Sequence, residues 1–165
     1  MLKHIKNKIR NTLTGIKNLV AWAPLIWKDR DWDYGFLEEI LKFKLTRMAK
    51  CIIDNDIIEG KYRVEKQIKY ALYLMERIDS NYDLKEADKK LEAKWGKTVY
   101  SWEPVEGPPK ASRLRIRYPK AETEEMRKQA SDEHYEAYME VSAKEAEIYE
   151  RLYRHIGKYI RGWWD

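Results

Sequence analysis

From Glu122 to about Arg161 the chain contains no proline and repeats its apolar and aromatic residues three or four apart. That period belongs to a helix face, and about 40 residues at roughly 1.5 Å each give a rod on the order of 60 Å long. Tyr135, Tyr138, Ser142, Glu145, Tyr149, Leu152, Ile156, Tyr159 and Trp163 trace a line close to a heptad seam. The first half is too polar for a strong coiled coil. A rod this long outruns a small domain, so it must lie along several shorter helices, bend, or meet a second copy, and a homo-oligomer is expected. It closes on Trp163-Trp164-Asp165. The two indoles are too large to leave wholly in water, and they are expected to dock against the Trp27–Trp32 segment of the same subunit or of a neighbour.

The chain ahead of the rod divides at its helix breakers. Leu2, Ile5, Ile9, Leu13, Ile16, Leu19 and Val20 mark one face of a first helix, which Pro24 is expected to end. An ordinary surface helix is the favoured reading there, over one lying on a membrane surface. Asp33 reads as the N-cap of a second helix reaching about Ile53, with Phe36, Leu37, Ile40, Leu41, Phe43, Leu45, Met48, Cys51 and Ile52 on a broad apolar face. Gly60 separates it from a third helix, Tyr62 to Ile78. Asp79-Ser80-Asn81 then breaks the chain before a fourth helix that Gly96 terminates.

Between Lys97 and Pro119 the period changes. Arg113-Leu-Arg-Ile-Arg-Tyr118 alternates strictly, which predicts a strand, and Pro104 with the Glu106-Gly-Pro-Pro109 turn makes the segment a β-hairpin or arm. Leu114, Ile116 and Tyr118 are expected inward and the arginines outward. The fold class predicted is mainly α, a helical bundle with a small β-hairpin insertion (97–119) and a long C-terminal helix (122–161), in one domain over 1–165.

Several classes of function are excluded or disfavoured. The single cysteine, Cys51, permits no internal disulfide. Its place on an apolar stripe suggests core filler. With only His4, His134 and His155 beside it, a standard structural zinc site is out of reach. Asp29, Asp31 and Asp33 alternate as in a calcium loop, but an EF-hand needs Gly at its sixth and Glu at its twelfth position, where Tyr34 and Ile40 stand. No phosphate-binding loop, zinc-protease, nucleophile-elbow or deaminase motif occurs. No enzyme, metal or cofactor is therefore expected. No apolar run could span a bilayer and no persuasive signal peptide is seen, so the expected setting is a reducing cytosol without membrane.

The formal charge of +5 is segregated. Residues 1–28 carry Lys3, Lys6, Lys8, Arg10, Lys17 and Lys28 with no acid, and residues 110–120 carry Lys110, Arg113, Arg115, Arg117 and Lys120, again with none. Arg113, Arg115 and Arg117 on alternate strand positions stand about 7 Å apart and can grip phosphate bidentately. Tyr100, Trp102 and Tyr118 lie in the same segment and could stack a base. These six residues are the candidate ligand site, for a phosphorylated nucleotide. Two alternatives stay open: the arginines pair with the acidic run between Glu122 and Glu150, or the basic first helix serves a nucleic-acid or protein partner.

Asp29-Arg-Asp-Trp-Asp-Tyr-Gly-Phe-Leu-Glu-Glu-Ile-Leu-Lys-Phe-Lys-Leu-Thr-Arg-Met48, together with His155-Ile-Gly-Lys-Tyr-Ile-Arg-Gly-Trp-Trp-Asp165, resembles a set of small uncharacterised proteins encoded by tailed bacteriophages. The resemblance covers these two stretches and supplies no catalytic residues. It implies a phage origin and action in the bacterial host cytoplasm. Small phage accessory proteins of this kind often bind rather than catalyse, and some sequester nucleotide immune signals to counter host defence.

Overall fold

A computed structural model of the chain describes residues 2–30, 32, 33, 35–55, 58–105 and 111–163. It is mainly helical, as the sequence predicts: α1 (Leu2–Ile26), α2 (Gly35–Asn55), α3 (Lys61–Asp79), α4 (Tyr82–Trp95), β1 (Val99–Val105), β2 (Ala111–Arg117) and α5 (Glu124–Tyr159), closed by a 3₁₀ turn over Ile160–Trp163. The elements group into two compact units, Met1–Leu72 and Tyr73–Asp165, divided within α3.

In the first unit α1 runs past Pro24 to Ile26 instead of stopping before it. Pro24 sits in the last turn, where only a little helix remains to be disturbed, and the Trp27 N–H still reaches the Ala23 carbonyl at 2.9 Å. Asp33 starts α2 as expected. Its Oδ1 accepts the Gly35 N–H at 3.0 Å, and its carbonyl accepts the Phe36 N–H at 3.2 Å. Leu45, Met48, Ala49 and Ile52 are the buried line of α2. Cys51 is exposed, contrary to the core-filling expectation, because it stands about 100° around the helix from Ile52. Leu37 is 68% exposed in the first turn. On α3, Val64, Ile68 and Ala71 are fully or almost fully buried at the expected spacing.

The second unit is built around α5. Thr123 caps it, its hydroxyl accepting the Met126 N–H at 3.2 Å, with Glu124 and Glu125 in the first turn where the helix dipole favours acids. The buried line is Ala130, His134, Val141, Ile148, Leu152 and Ile156, continued by Trp163. The predicted seam meets it at Leu152, Ile156 and Trp163 but drifts off it toward the helix start. Tyr135 is 68% exposed, while the small Ala130 and Val141 take the inner positions. Trp163 is fully buried, whereas Trp27 and Trp32 remain 88% and 83% exposed. Trp164 lies outside the described residues.

Gly96 ends α4 at φ +80°, a conformation that a side chain resists. Its N–H bonds the Glu92 carbonyl at 2.9 Å, and a Cβ there would meet Lys120 Cγ at 3.3 Å. The returning chain passes so close because the Lys120 N–H donates to the Trp95 carbonyl at 3.0 Å and Lys120 Nζ donates to the Ala93 carbonyl at 2.9 Å. Both ends of the hairpin are thereby tied to the end of α4. Leu91, Trp95, Tyr118, Ala121 and Ala130 form the small core beneath it.

Candidate functional site

The antiparallel register sets Val99 opposite Arg117, Tyr100 opposite Ile116, Ser101 opposite Arg115, Trp102 opposite Leu114 and Glu103 opposite Arg113. Residues directly opposite share a face and successive residues alternate. Arg113, Arg115 and Arg117 therefore share one face with Val99, Ser101 and Glu103. Tyr100 and Trp102 lie on the other face with Leu114 and Ile116, so the sheet itself separates the guanidinium row from these two aromatic rings. The six residues do not form one surface.

Leu114 and Ile116 were expected inward, yet they are 42% and 45% exposed, and Trp102 is 69% exposed. The hairpin projects as an arm, and only its base is covered. Arg115 Nε pairs across the strands with Glu103 Oε2 at 2.6 Å. That is a diagonal contact within the hairpin, not a link to the acids of α5, and at this exposure it contributes little stability.

The base of the arm is where the chemistry converges. Tyr118, just beyond β2, is buried, and Ser131 on α5 lies beside it. Burial holds its phenol above the ordinary range, with Ser131 acting the other way. A hollow of about 450 Å³ opens beside it, lined by Arg117, Tyr118, Glu122, Arg127 and Ser131 among others. Arg127 is pre-positioned: its Nε donates to the Ala121 carbonyl at 3.3 Å and its Nη2 to the Glu122 carbonyl at 2.9 Å. Of the six residues predicted from sequence, this hollow joins Arg117 and Tyr118, and it adds Arg127 and Ser131.

Behind Tyr118 the rings continue. His134 lies 5.1 Å from the Tyr118 ring, and Tyr138 stacks on it at 5.4 Å and 17°. His134 Nε2 and Thr98 Oγ1 hydrogen-bond at 3.1 Å, while the Tyr138 hydroxyl donates to Asp88 Oδ1 at 2.8 Å. Tyr100 comes near enough to the Tyr138 hydroxyl to add to the rise in its pKa. Burial first, then the Asp88 hydrogen bond, pushes the Tyr138 phenol far above its ordinary value, so it stays a donor. Arg127, Ser131, His134 and Tyr138 fall at i, i+4, i+7 and i+11 of one helix. That spacing was the available signal, hidden because the residues differ in type.

Burial also lowers the pKa of His134, with Asp88 opposing the shift. A depressed histidine contributes stability above its unfolded value of about 6.5 and loses it as pH falls through the folded value. The urea midpoint is therefore expected to drop as pH is lowered below about 6.5. In His134→Phe, which keeps a ring against Tyr118 and Tyr138, that drop should be smaller. Equal slopes for the two proteins would refute the assignment.

Among the described residues no group of three or more His, Cys, Asp or Glu side chains is placed to hold a metal. Asp33 of the alternating aspartates caps α2, and Asp31 lies outside the described residues. No family model, curated protein or solved structure matches the chain.

Proposed function

We propose that the protein is a non-enzymatic binding protein for a phosphorylated small molecule, held at the base of the hairpin. One observation carries this reading: Arg117 from the end of β2 and Arg127 from the first turns of α5 line the same hollow. Guanidinium groups delivered from two elements suit the several oxygens of a phosphate. Tyr118 and Ser131 supply an aromatic wall and a hydroxyl, and about 450 Å³ falls in the range of small-ligand pockets. The resemblance to phage accessory proteins extends the proposal to a nucleotide, including a cyclic immune signal sequestered in the host cytoplasm.

Thermal shift against a panel of mononucleotides, dinucleotides and cyclic nucleotides tests it. A genuine ligand at 100-fold over its dissociation constant should stabilise by about 2.7 kcal/mol. Arg117→Ala should weaken binding by at least tenfold, consistent with about 1.5–3 kcal/mol for a charge-assisted hydrogen bond, and leave the ligand-free melting point near the parent's. Arg113→Ala, far out on the arm, should bind like the parent. If no nucleotide stabilises the protein, or if Arg117→Ala binds unchanged, the reading fails.

A further inference from the structure

The first helix leaves its apolar stripe uncovered. At about 100° per residue, Ile5, Ile9, Leu13, Ile16 and Val20 form one stripe, and an ordinary surface helix would press such a stripe inward. Here Ile5, Ile9, Leu13 and Ile16 are 49–56% exposed and Val20 69%. The side of α1 that meets α2 is the opposite one. Asn18 Oδ1 accepts from Arg47 Nη2 at 2.9 Å, and the Trp22 ring meets Phe43 edge-on at 4.7 Å. Asn18 stands roughly 180° around the helix from Ile9, and Trp22 about 140°. These contacts with α2 lie near the C-terminal end of α1 and on its polar side, residues 4–20 are exposed all around the helix, and the apolar stripe is left uncovered.

The flanks of that stripe are cationic. Lys6, Arg10 and Lys17 line one edge and Lys8 the other, and α1 contains no acidic residue. Beyond its end, Trp27 and Trp32 are almost fully exposed. No described helix is long and apolar enough to cross a membrane. We infer that α1 lies in the surface of an anionic lipid bilayer, its apolar stripe among the acyl chains, its basic flanks at the phosphates and the two tryptophans at the headgroup level.

Charge decides between this occupant and the others. A second copy paired along the same stripe would bring the basic flanks of the two helices together, with no acid on α1 to offset them. A nucleic acid would satisfy the lysines but leave the isoleucines and Leu13 in water. An anionic bilayer satisfies both.

The experiment is flotation of the full-length protein with vesicles of phosphatidylcholine alone and of phosphatidylcholine doped with phosphatidylglycerol. The parent should float with the anionic vesicles, much less with the neutral ones, and its tryptophan emission should shift to the blue. Ile9→Glu/Leu13→Glu/Ile16→Glu should abolish flotation with helicity unchanged by circular dichroism, since these side chains are exposed. Lys6→Gln, Arg10→Gln and Lys17→Gln should each weaken partitioning about fivefold on anionic vesicles only. Trp27→Ala/Trp32→Ala, outside the helix, should weaken it without touching the stripe. The inference is overturned if the parent floats with neither vesicle or if the triple glutamate variant floats like the parent. It is equally overturned if light scattering shows a dimer that the glutamates dissolve while vesicles bind nothing. Nucleotide binding at the hairpin base is read separately and can succeed or fail independently.

Discussion

Trp163→Ala should cost about 3–5 kcal/mol of folding free energy, the range for emptying a fully buried tryptophan site. The indole is 0% exposed, the largest such side chain in the described structure. It follows Leu152 and Ile156 on the buried line of α5, and a 3₁₀ turn tightens the chain to bring it there. Both the transfer energy of the ring and the void left behind contribute, because a packed site relaxes only in part. Urea unfolding followed by circular dichroism, which does not depend on the lost fluorophore, should show a lower midpoint with an unchanged slope. Trp163→Phe refills much of the space and should recover more than half of the loss. A cost below about 1 kcal/mol for Trp163→Ala would mean that the residue is not a core anchor.

The elements that depend on local chemistry were legible from sequence. Asp33 can cap, Gly96 can adopt positive φ, and Arg113-Leu-Arg-Ile-Arg alternates. Each property resides in the residue itself, and α2, the end of α4 and the hairpin follow from them. What depends on which neighbour arrives was not legible. The α1 stripe has the pattern of an inward face, and only the fold reveals that it is left uncovered. Tyr100 and Trp102 are near the arginines in sequence, but strand register places them across the sheet. Alternation within β2 was legible, since Arg113, Arg115 and Arg117 alternate with Leu114 and Ile116, but the pairing frame that decides which β1 residues join each face was not. Arg127 and Ser131 joined the hollow only because Lys120 ties the end of the hairpin back to α4, which places the start of α5 beside Tyr118.

Trp95 is the residue on which that arrangement rests, and its substitution separates packing from hydrogen bonding. It is 4% exposed and shares a core with Leu91, Tyr118, Ala121 and Ala130. Its Nε1 donates to Glu133 Oε2 at 2.8 Å, and Lys94 Nζ bonds the same carboxylate at 2.6 and 2.8 Å. These hydrogen bonds, with that of Lys94 largest, hold the Glu133 carboxyl below its ordinary pKa. Trp95→Ala should cost about 3–5 kcal/mol and loosen Tyr118, so hydrogen exchange at β1 and β2 amides should accelerate along with global unfolding. Trp95→Phe keeps most of the buried area and loses the indole donor. Its cost should be nearer 1 kcal/mol, because Glu133 retains Lys94 and Gln129 as partners and is not left bare. If the phenylalanine variant is as damaged as the alanine variant, the hydrogen bond and not the packing seats the hairpin. If Trp95→Ala leaves the exchange of β1 and β2 unchanged, the arm holds its place without this core, and the hollow beside Arg117 is organised by α5 alone.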